Sequence, residues 1–262
     1  MSKKIGFALG AGGSRGVAHV GFLKAMEEAG IKPDFIAGTS MGSIVGACYA
    51  KGYSPEYIMQ EISALSLVDI IDISLPAFLS GALLRAQKMR NKLSEYIEED
   101  LTFSQLKTPF RCVAVDLVSG NPVVFKDEDK VCEAIVASST IPGVFKPVVK
   151  DDMWLVDGGV KCRIPVSEVK EMGADVVIAV DVLGKIRPTD KKFNVLSLML
   201  RTYDIMDDEI TNRKLKEQKP NVLITPDLGD MDLFRFKDIE MAYEKGYQAG
   251  KENLEIIRKL IK

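Results

Sequence analysis

The tightest constraint on this chain is a five-residue stretch, Gly38-Thr39-Ser40-Met41-Gly42. It lies between a short apolar run, Phe35-Ile36-Ala37, and a segment from Met41 to Lys51 that reads as a helix capped by Gly52. A serine between two glycines, where a strand gives way to a helix, has the G-x-S-x-G spacing of a nucleophile elbow. The spacing follows from the chemistry. The hydroxyl must project from a sharp, strained turn, and the flanking chain must pass close by on both sides, which glycine permits because it has no Cβ. The helix that follows aims its free N–H groups and the positive end of its dipole at the hydroxyl, where an oxyanion would develop. The same five residues also suit a plain structural turn, and two further stretches weigh against that reading.

The first stretch is upstream. Lys4 to Leu9 reads as a strand that enters Gly10-Ala11-Gly12-Gly13-Ser14-Arg15-Gly16, and Val17 to Gly30 reads as a helix. With Phe35-Ile36-Ala37 this forms a β-α-β unit. A glycine loop at a helix N-terminus presents successive backbone N–H groups and is an anion site. Two anions fit the pattern. One is a dinucleotide pyrophosphate, with Asp34 near the distance expected for a ribose contact. The other is the oxyanion of an acyl-transfer intermediate. The dinucleotide spacing is faulty: counted from Gly10 it is one residue too long, and counted back from Gly16 it meets Ala11 where a glycine is needed. In a parallel sheet the two β-α junctions lie side by side, which brings the loop to Ser40.

The base is the next question. The only histidine, His19, falls within the first helix among Val17, Ala18, Val20 and Phe22, so it is expected to be a packed core residue. It also precedes the serine, against the Ser, acid, His order of α/β-hydrolases. A carboxylate is therefore expected to do the work. Asp157-Gly158-Gly159 follows the strand-like Trp154-Leu155-Val156, and ligands in open α/β sheets collect beyond the carboxyl ends of strands. Free aspartate is a poor base for a hydroxyl, with a pKa of about 3.9. Burial beside an apolar substrate would raise it. Alone, the stretch is also an ordinary Asp-Gly turn.

The rest of the chain supplies framework. Tyr53 to Ala64 predicts a helix, with Ser54 as its cap and Pro55 in its first turn. Leu67 to Leu84 is apolar but broken by Asp69, Asp72, Pro76 and Gly81; it suits either a cap over a lipid-sized pocket or ordinary core. Lys88 to Leu101 predicts an amphipathic helix. Phe110–Asp116 and Pro122–Phe125 form a hairpin about Gly120-Asn121, and Lys130 to Ser138 a short helix. Ile141-Pro142-Gly143-Val144-Phe145 is either a wall of the acyl pocket or a packed connector. Asp175 to Asp181 is a buried parallel strand, with Asp181 in a turn or cap. A long helix from Asn194 to Lys219, a strand from Asn221 to Thr225 and a closing helix from Lys237 to Ile261 complete the chain.

Composition narrows the class. With 262 residues, 47% of them hydrophobic, a single α/β domain over residues 1–262 is expected, its motif-bearing core at about 5–182. The 35 basic and 37 acidic residues leave a net charge of -2, and no clustered basic excess points to nucleic acid. The N-terminus turns glycine-rich too early for a signal h-region, and no apolar run is long enough to span a bilayer. Cys48, Cys112, Cys132 and Cys162 show neither C-x-x-C pairing nor zinc spacing and suit buried thiols in a reducing compartment. These features predict a soluble, cytoplasmic protein. No Lys/Arg-rich amphipathic stretch argues for a strong membrane anchor, so membrane contact is expected to be transient.

Taken together and in this order, Gly10-Ala11-Gly12-Gly13-Ser14-Arg15-Gly16, Gly38-Thr39-Ser40-Met41-Gly42 and Asp157-Gly158-Gly159 resemble the patatin-like phospholipase family. Ile141-Pro142-Gly143-Val144-Phe145 is similar to the block that precedes the family's aspartate. The likeness runs from residue 5 to about 182. It implies a three-layer α/β sandwich, with a mostly parallel sheet flanked by helices. It also implies hydrolysis of lipid acyl esters, with no metal or other cofactor and no catalytic histidine. By resemblance Ser40 is the nucleophile and Asp157 the base, and Gly12, Gly13, Ser14 and Arg15 form the oxyanion loop, to which the Met41 amide adds a donor. Gly10, Gly16, Gly38, Gly42, Gly158 and Gly159 are the motif glycines. One departure is visible: Ala11 stands where the family has the first glycine of Gly-Gly-Gly-x-Arg-Gly. Two other classes stay open from the residues alone: a non-catalytic regulator that keeps the fold as an interaction platform, and a nucleotide-binding protein.

Overall fold

The computed structural model describes residues 3–65, 69, 84–190, 192–232 and 236–262. Nearly all of the Leu67 to Leu84 stretch lies outside the described residues. Those residues include eight strands: β1 (Ile5–Leu9), β2 (Phe35–Thr39), β3 (Phe110–Asp116), β4 (Pro122–Phe125), β5 (Val148–Lys150), β6 (Met153–Asp157), β7 (Val176–Val180) and β8 (Val222–Ile224). The helices are α1 (Ala18–Glu28), α2 (Met41–Lys51), α3 (Pro55–Ser63), α4 (Gln87–Ser94), α5 (Val131–Ser138), α6 (Val166–Glu171), α7 (Val195–Gln218), α8 (Ile239–Glu252) and α9 (Leu254–Ile261).

The strands form one sheet in the order β5-β6-β3-β2-β1-β7-β8, with β4 also on β3. The central strands β3, β2, β1, β7 and β8 are parallel, and β4, β5 and β6 are antiparallel to their neighbours. Alternation along the strands sorts the core. Phe7, Leu9, Ile36 and Ile178 face one layer, which they share with residues of α1, α2, α3, α5 and α8. Ala8, Ala37, Val177 and Ala179 face the other, with Val166 and Val169 of α6 and Leu215 of α7. The Phe7 and Phe22 rings meet edge to face at 5.0 Å, a favourable arrangement for aromatic quadrupoles. The small residues on the second face let α6 approach the sheet closely.

Local signals act as predicted at several ends. Ser54 Oγ accepts the Tyr57 amide at 3.2 Å, with Pro55 opening α3. Gly52, at φ 110°, ends α2. Elsewhere tertiary contacts override periodicity. The first helix starts at Ala18 rather than Val17, because Gly13–Val17 forms a tighter 3-10 turn. The helix predicted to reach Leu101 stops at Ser94, where the Glu95 and Tyr96 amides bond three residues back, to Lys92 and Leu93. The closing helix divides at Asn253, whose side chain bonds back to the Ala249 carbonyl at 2.8 Å.

One pairing differs from the expected parallel layout and sets up the site. Strand β6 runs antiparallel to β3, with Asp157 opposite Ala114. At Cys112 and Val113, β3 pairs with both β2 and β4; at Ala114 and Val115 it pairs with both β4 and β6. Two strands cannot share one edge at the same residue, so β2 and β6 occupy the same edge of β3, end to end. The chain leaves β2 at Thr39, opposite Val113, and β6 takes up that edge at Ala114. The carboxyl ends of β2 and β6 therefore abut, and Ser40 and Asp157 are the residues at the join.

Candidate active site

Ser40 adopts φ 53° and ψ −126° between β2 and α2. Such a backbone is costly for a residue with a side chain, about 1–3 kcal/mol, and survives only where the surroundings over-determine it. Here three contacts do so. The Ser40 amide donates to Ser138 Oγ at 2.9 Å, and Ser138 Oγ donates in turn to the Val113 carbonyl at 2.6 Å. The Ser40 carbonyl accepts from Ser43 Oγ at 2.6 Å. Close approach explains the flanking glycines. A Cβ at Gly38 would lie 2.4 Å from the Gly42 carbonyl oxygen, and one at Gly42 would lie 2.2 Å from that of Leu9.

Ser40 Oγ donates to Asp157 Oδ2 at 2.6 Å. Asp157 Oδ1 accepts the Gly159 amide at 2.8 Å, so each carboxylate oxygen has one donor. Both residues are 4% exposed. Burial pushes the Asp157 carboxyl up to about 7; the hydrogen bonds from Ser40 and Gly159 oppose that rise without cancelling it, and Asp207 adds to it. The sequence argument that burial would raise this group therefore holds, and the carboxylate is basic near neutral pH. His19 is fully buried, as the apolar surroundings implied. Its Nε2 bonds the Gly10 carbonyl at 2.7 Å, and burial lowers its pKa to about 4. It braces the start of the glycine loop.

The loop is pinned from below. The Gly10 amide bonds Val180 O at 3.1 Å and the Ala11 amide bonds Arg163 O at 2.9 Å. Ala11 is absent from the positive-φ residues, so its methyl introduces no strain. Side chains of the loop are tied to the segment at 231–232: Arg15 Nε donates to Met231 O at 2.5 Å and Ser14 Oγ to Asp232 O at 3.0 Å. The Arg15 amide is engaged by Gly12 O at 3.2 Å. Gly13 and Ser14 line the same cleft as Ser40 and Met41, and Gly16 packs against the Met41 side chain.

That cleft is strongly apolar. Ile44, Ile58, Ile62, Met89, Ile141 and Phe145 are among its walls. The Ile141–Phe145 loop thus belongs to the cleft, and α3 and α4 supply the far side. Behind Asp157 is a network that no sequence motif announced. Arg163, 4% exposed, donates to Asp207 Oδ2 at 2.9 Å and to Asp181 Oδ2 at 3.0 Å. Burial works to lower the guanidinium pKa, but the two carboxylates outweigh it and raise it. Asp181 also accepts the Leu183 and Gly184 amides, so it fills its expected turn role as well. Ser138, Arg163 and Asp207 carry no local signature; they are found only through pairing between segments far apart in the chain.

An α/β sandwich with a strained serine at a strand–helix elbow, bonded to a buried aspartate beside a glycine loop, defines the class of protein. Residues 7–170 match the Patatin-like phospholipase family. The chain belongs to that family. It is 34% identical over 185 residues to an NTE family protein of Mycobacterium tuberculosis, covering 70% of this chain and 50% of that protein. It is 33% identical over 182 residues to the human protein named patatin-like phospholipase domain-containing protein 6, covering 68% of this chain and 13% of the human one. The chain thus spans half the length or less of these relatives. Among solved structures it resembles VipD from Legionella pneumophila, with a TM-score of 0.61 and 12% identity over 97% of this chain and 67% of that one.

Proposed function

We propose that this protein is a serine hydrolase that cleaves lipid acyl esters of the phospholipid or lysophospholipid type. The observation that carries the reading is the 2.6 Å hydrogen bond from Ser40 Oγ to the buried Asp157 carboxylate at a strained elbow. Asp157 accepts the hydroxyl proton as Oγ attacks the acyl carbonyl carbon. The carbonyl π electrons move onto oxygen, and that oxyanion is held by the amides of Gly13, Ser14 and Met41, at a turn and a helix start where such groups lack intrahelical partners. Gly12 and Arg15 shape the loop, with the Arg15 amide already engaged. As the tetrahedral species collapses, the acyl C–O bond breaks and the glycerol-bearing remainder of the lipid departs as an alcohol, taking the proton from Asp157. Water then attacks the acyl-serine, giving its proton to Asp157 while Oγ leaves. Oγ recovers the proton, and the fatty acid is released. The scheme is ping-pong.

The substrate class rests on the family relationship and on the walls of the cleft, which offer an acyl chain aliphatic and aromatic side chains. Among the described residues, no helix is long and apolar enough to cross a membrane. The testing experiment is labelling with a fluorophosphonate, read by intact mass, on wild type and Ser40→Ala. One adduct on wild type and none on the variant is expected. Folded wild type that takes no adduct refutes the reading and favours a regulator built on the same fold. A single adduct on wild type then justifies screening the unlabelled protein on p-nitrophenyl esters and lysophospholipids of graded chain length.

A further inference from the structure

The apolar cleft beside Ser40 has a direction. Met41, Ile44, Val45 and Cys48 line it, at the spacing of one face of α2, so it follows that helix lengthwise from the serine. From Ser40 to Cys48 the helix rises about 12 Å. Residues of α3 and α4 complete the walls.

The cleft meets a polar partition. Among the described residues, Glu61, Leu65, Lys92 and Tyr96 line both the cleft and a second recess, whose other walls include Asn91 and Glu95. A side chain that borders two cavities stands between them. Tyr96 Oη donates to Glu61 Oε2 at 2.7 Å, which joins α3 to the segment after α4 along that boundary. Lys92 Nζ pairs with Glu95 at 2.6 Å and lies 5.3 Å from the centre of the Tyr96 ring. The backbone of Tyr96 is held at the far end of α2: Lys51 Nζ donates to its carbonyl at 2.5 Å, and Tyr53 Oη donates to it at 3.0 Å. Lys51 is the last residue of α2, whereas Ser40 precedes the first. The partition therefore belongs to the end of the cleft remote from the serine.

Resting on the lipid-hydrolase reading, we propose that the Tyr96–Glu61 bond is the stop that sets acyl-chain length. With C–C bonds of about 1.5 Å at near-tetrahedral angles, an extended alkyl chain advances about 1.3 Å per carbon. A chain of about ten carbons therefore spans the α2 stripe from Ser40 to Cys48. Over that span each methylene exchanges water for aliphatic walls. Beyond it the chain must part a hydrogen bond to a carboxylate and lie against the Lys92 ammonium, so further burial brings no gain. The recess on the other side does not continue the cleft, because Glu61, Asn91, Lys92 and Glu95 make its walls polar.

The test is calorimetric binding of the saturated fatty acids from hexanoate to hexadecanoate, each below its micelle concentration. Fatty acids are products of the proposed reaction, and their binding does not depend on a reactive serine. On wild type, affinity is expected to rise about fourfold per added methylene as far as about decanoate and then to level off. Glu61→Ala and, separately, Tyr96→Ala are each expected to raise the ratio of tetradecanoate to decanoate affinity at least about tenfold, because the chain continues into the opened space. That ratio compares two ligands on one folded protein, so a loss of stability in a variant does not move it. Glu61 is only partly buried, and its variant decides the outcome if Tyr96→Ala does not fold. Wild-type affinity that climbs steadily through tetradecanoate overturns the proposal. So do folded variants that keep the wild-type ratio, and so does a wild type that binds none of the acids. Phosphonate labelling keeps the two readings apart: labelled protein whose series shows no break loses only the stop, and unlabelled protein whose break moves in the variants keeps the stop and loses the hydrolase.

Discussion

Replacing Asp157 by asparagine should abolish turnover and, above acidic pH, make the protein more stable. The folded state holds the Asp157 proton up to about 7, against an ordinary value of 3.8. Between those two pH values the folded chain binds more protons than the unfolded chain, so this group's contribution to stability falls as pH rises through the window. Each unit separating the two pKa values is worth about 1.4 kcal/mol, giving about 4 kcal/mol at pH 8, about 2 kcal/mol at pH 5 and almost nothing at pH 3. Asparagine carries no charge to bury and keeps both hydrogen bonds: its carbonyl oxygen accepts the Gly159 amide and its NH2 donates to Ser40 Oγ. At about 2 °C per kcal/mol for a chain of this size, Asp157→Asn should melt about 8 °C above wild type at pH 8 and about 4 °C above it at pH 5. Differential scanning fluorimetry across that range reads the difference directly. A melting difference that stays flat from pH 5 to pH 8 would refute the claim that burial raises this carboxyl.

The same group predicts an acid limb near pH 7 in kcat/KM for a soluble ester, with activity rising as Asp157 ionises; a limb near pH 4 would mean the carboxylate is solvated in the working enzyme. Arg163→Met leaves Asp181 and Asp207 buried without their partner and should destabilise the fold by about 3–5 kcal/mol in urea titration, far more than loss of a surface pair. Gly38→Ala drives a methyl into the Gly42 carbonyl, so the elbow must deform; phosphonate labelling of the soluble fraction should drop to background. His19→Gln should keep labelling while lowering the melting temperature, because the bond to Gly10 O braces the loop without touching Ser40.

The parts legible in the sequence are those where one residue type must answer a local demand. Gly38 and Gly42 are required by close approach, Gly52 by its positive φ and Ser54 by an open helix start, and each is readable from its neighbours alone. The sequence points to the meeting of Ser40 with Asp157 for a partly different reason. A parallel layout puts Asp157 at the shared carboxyl edge, whereas the molecule runs β6 the other way and joins it to β2 end to end on β3. The direction of β6 is decided by its pairing with β3, where Ala114 meets Asp157 from 43 positions away, and periodicity carries no sign of it. The Arg163–Asp181–Asp207 network has no sequence signature for the same reason: three charged residues, the outer two 44 positions apart, look like solvated surface until the fold buries them. The breaks at Ser94 and Asn253 fall in stretches whose apolar spacing continues, and hydrogen bonds made in the folded chain, from the Glu95 and Tyr96 amides and from the Asn253 side chain, end the helices there.

The short run from Asp157 to Arg163 touches every part of the site. Its first residue bonds Ser40 Oγ, the Cys162 carbonyl accepts Thr39 Oγ1 at 2.9 Å, and the Arg163 carbonyl holds the Ala11 amide. The serine and the glycine loop are synthesised early, and this run that ties them together comes 117 positions after Ser40. Under the proposed roles, a ribosome still translating the middle of the message therefore holds a nucleophile with no base and a loop without its tie to Arg163. Under the proposed chemistry, an unfinished or truncated chain that stops short of residue 157 is inert towards the lipids around it, and activity arrives only with the segment that locks the site together.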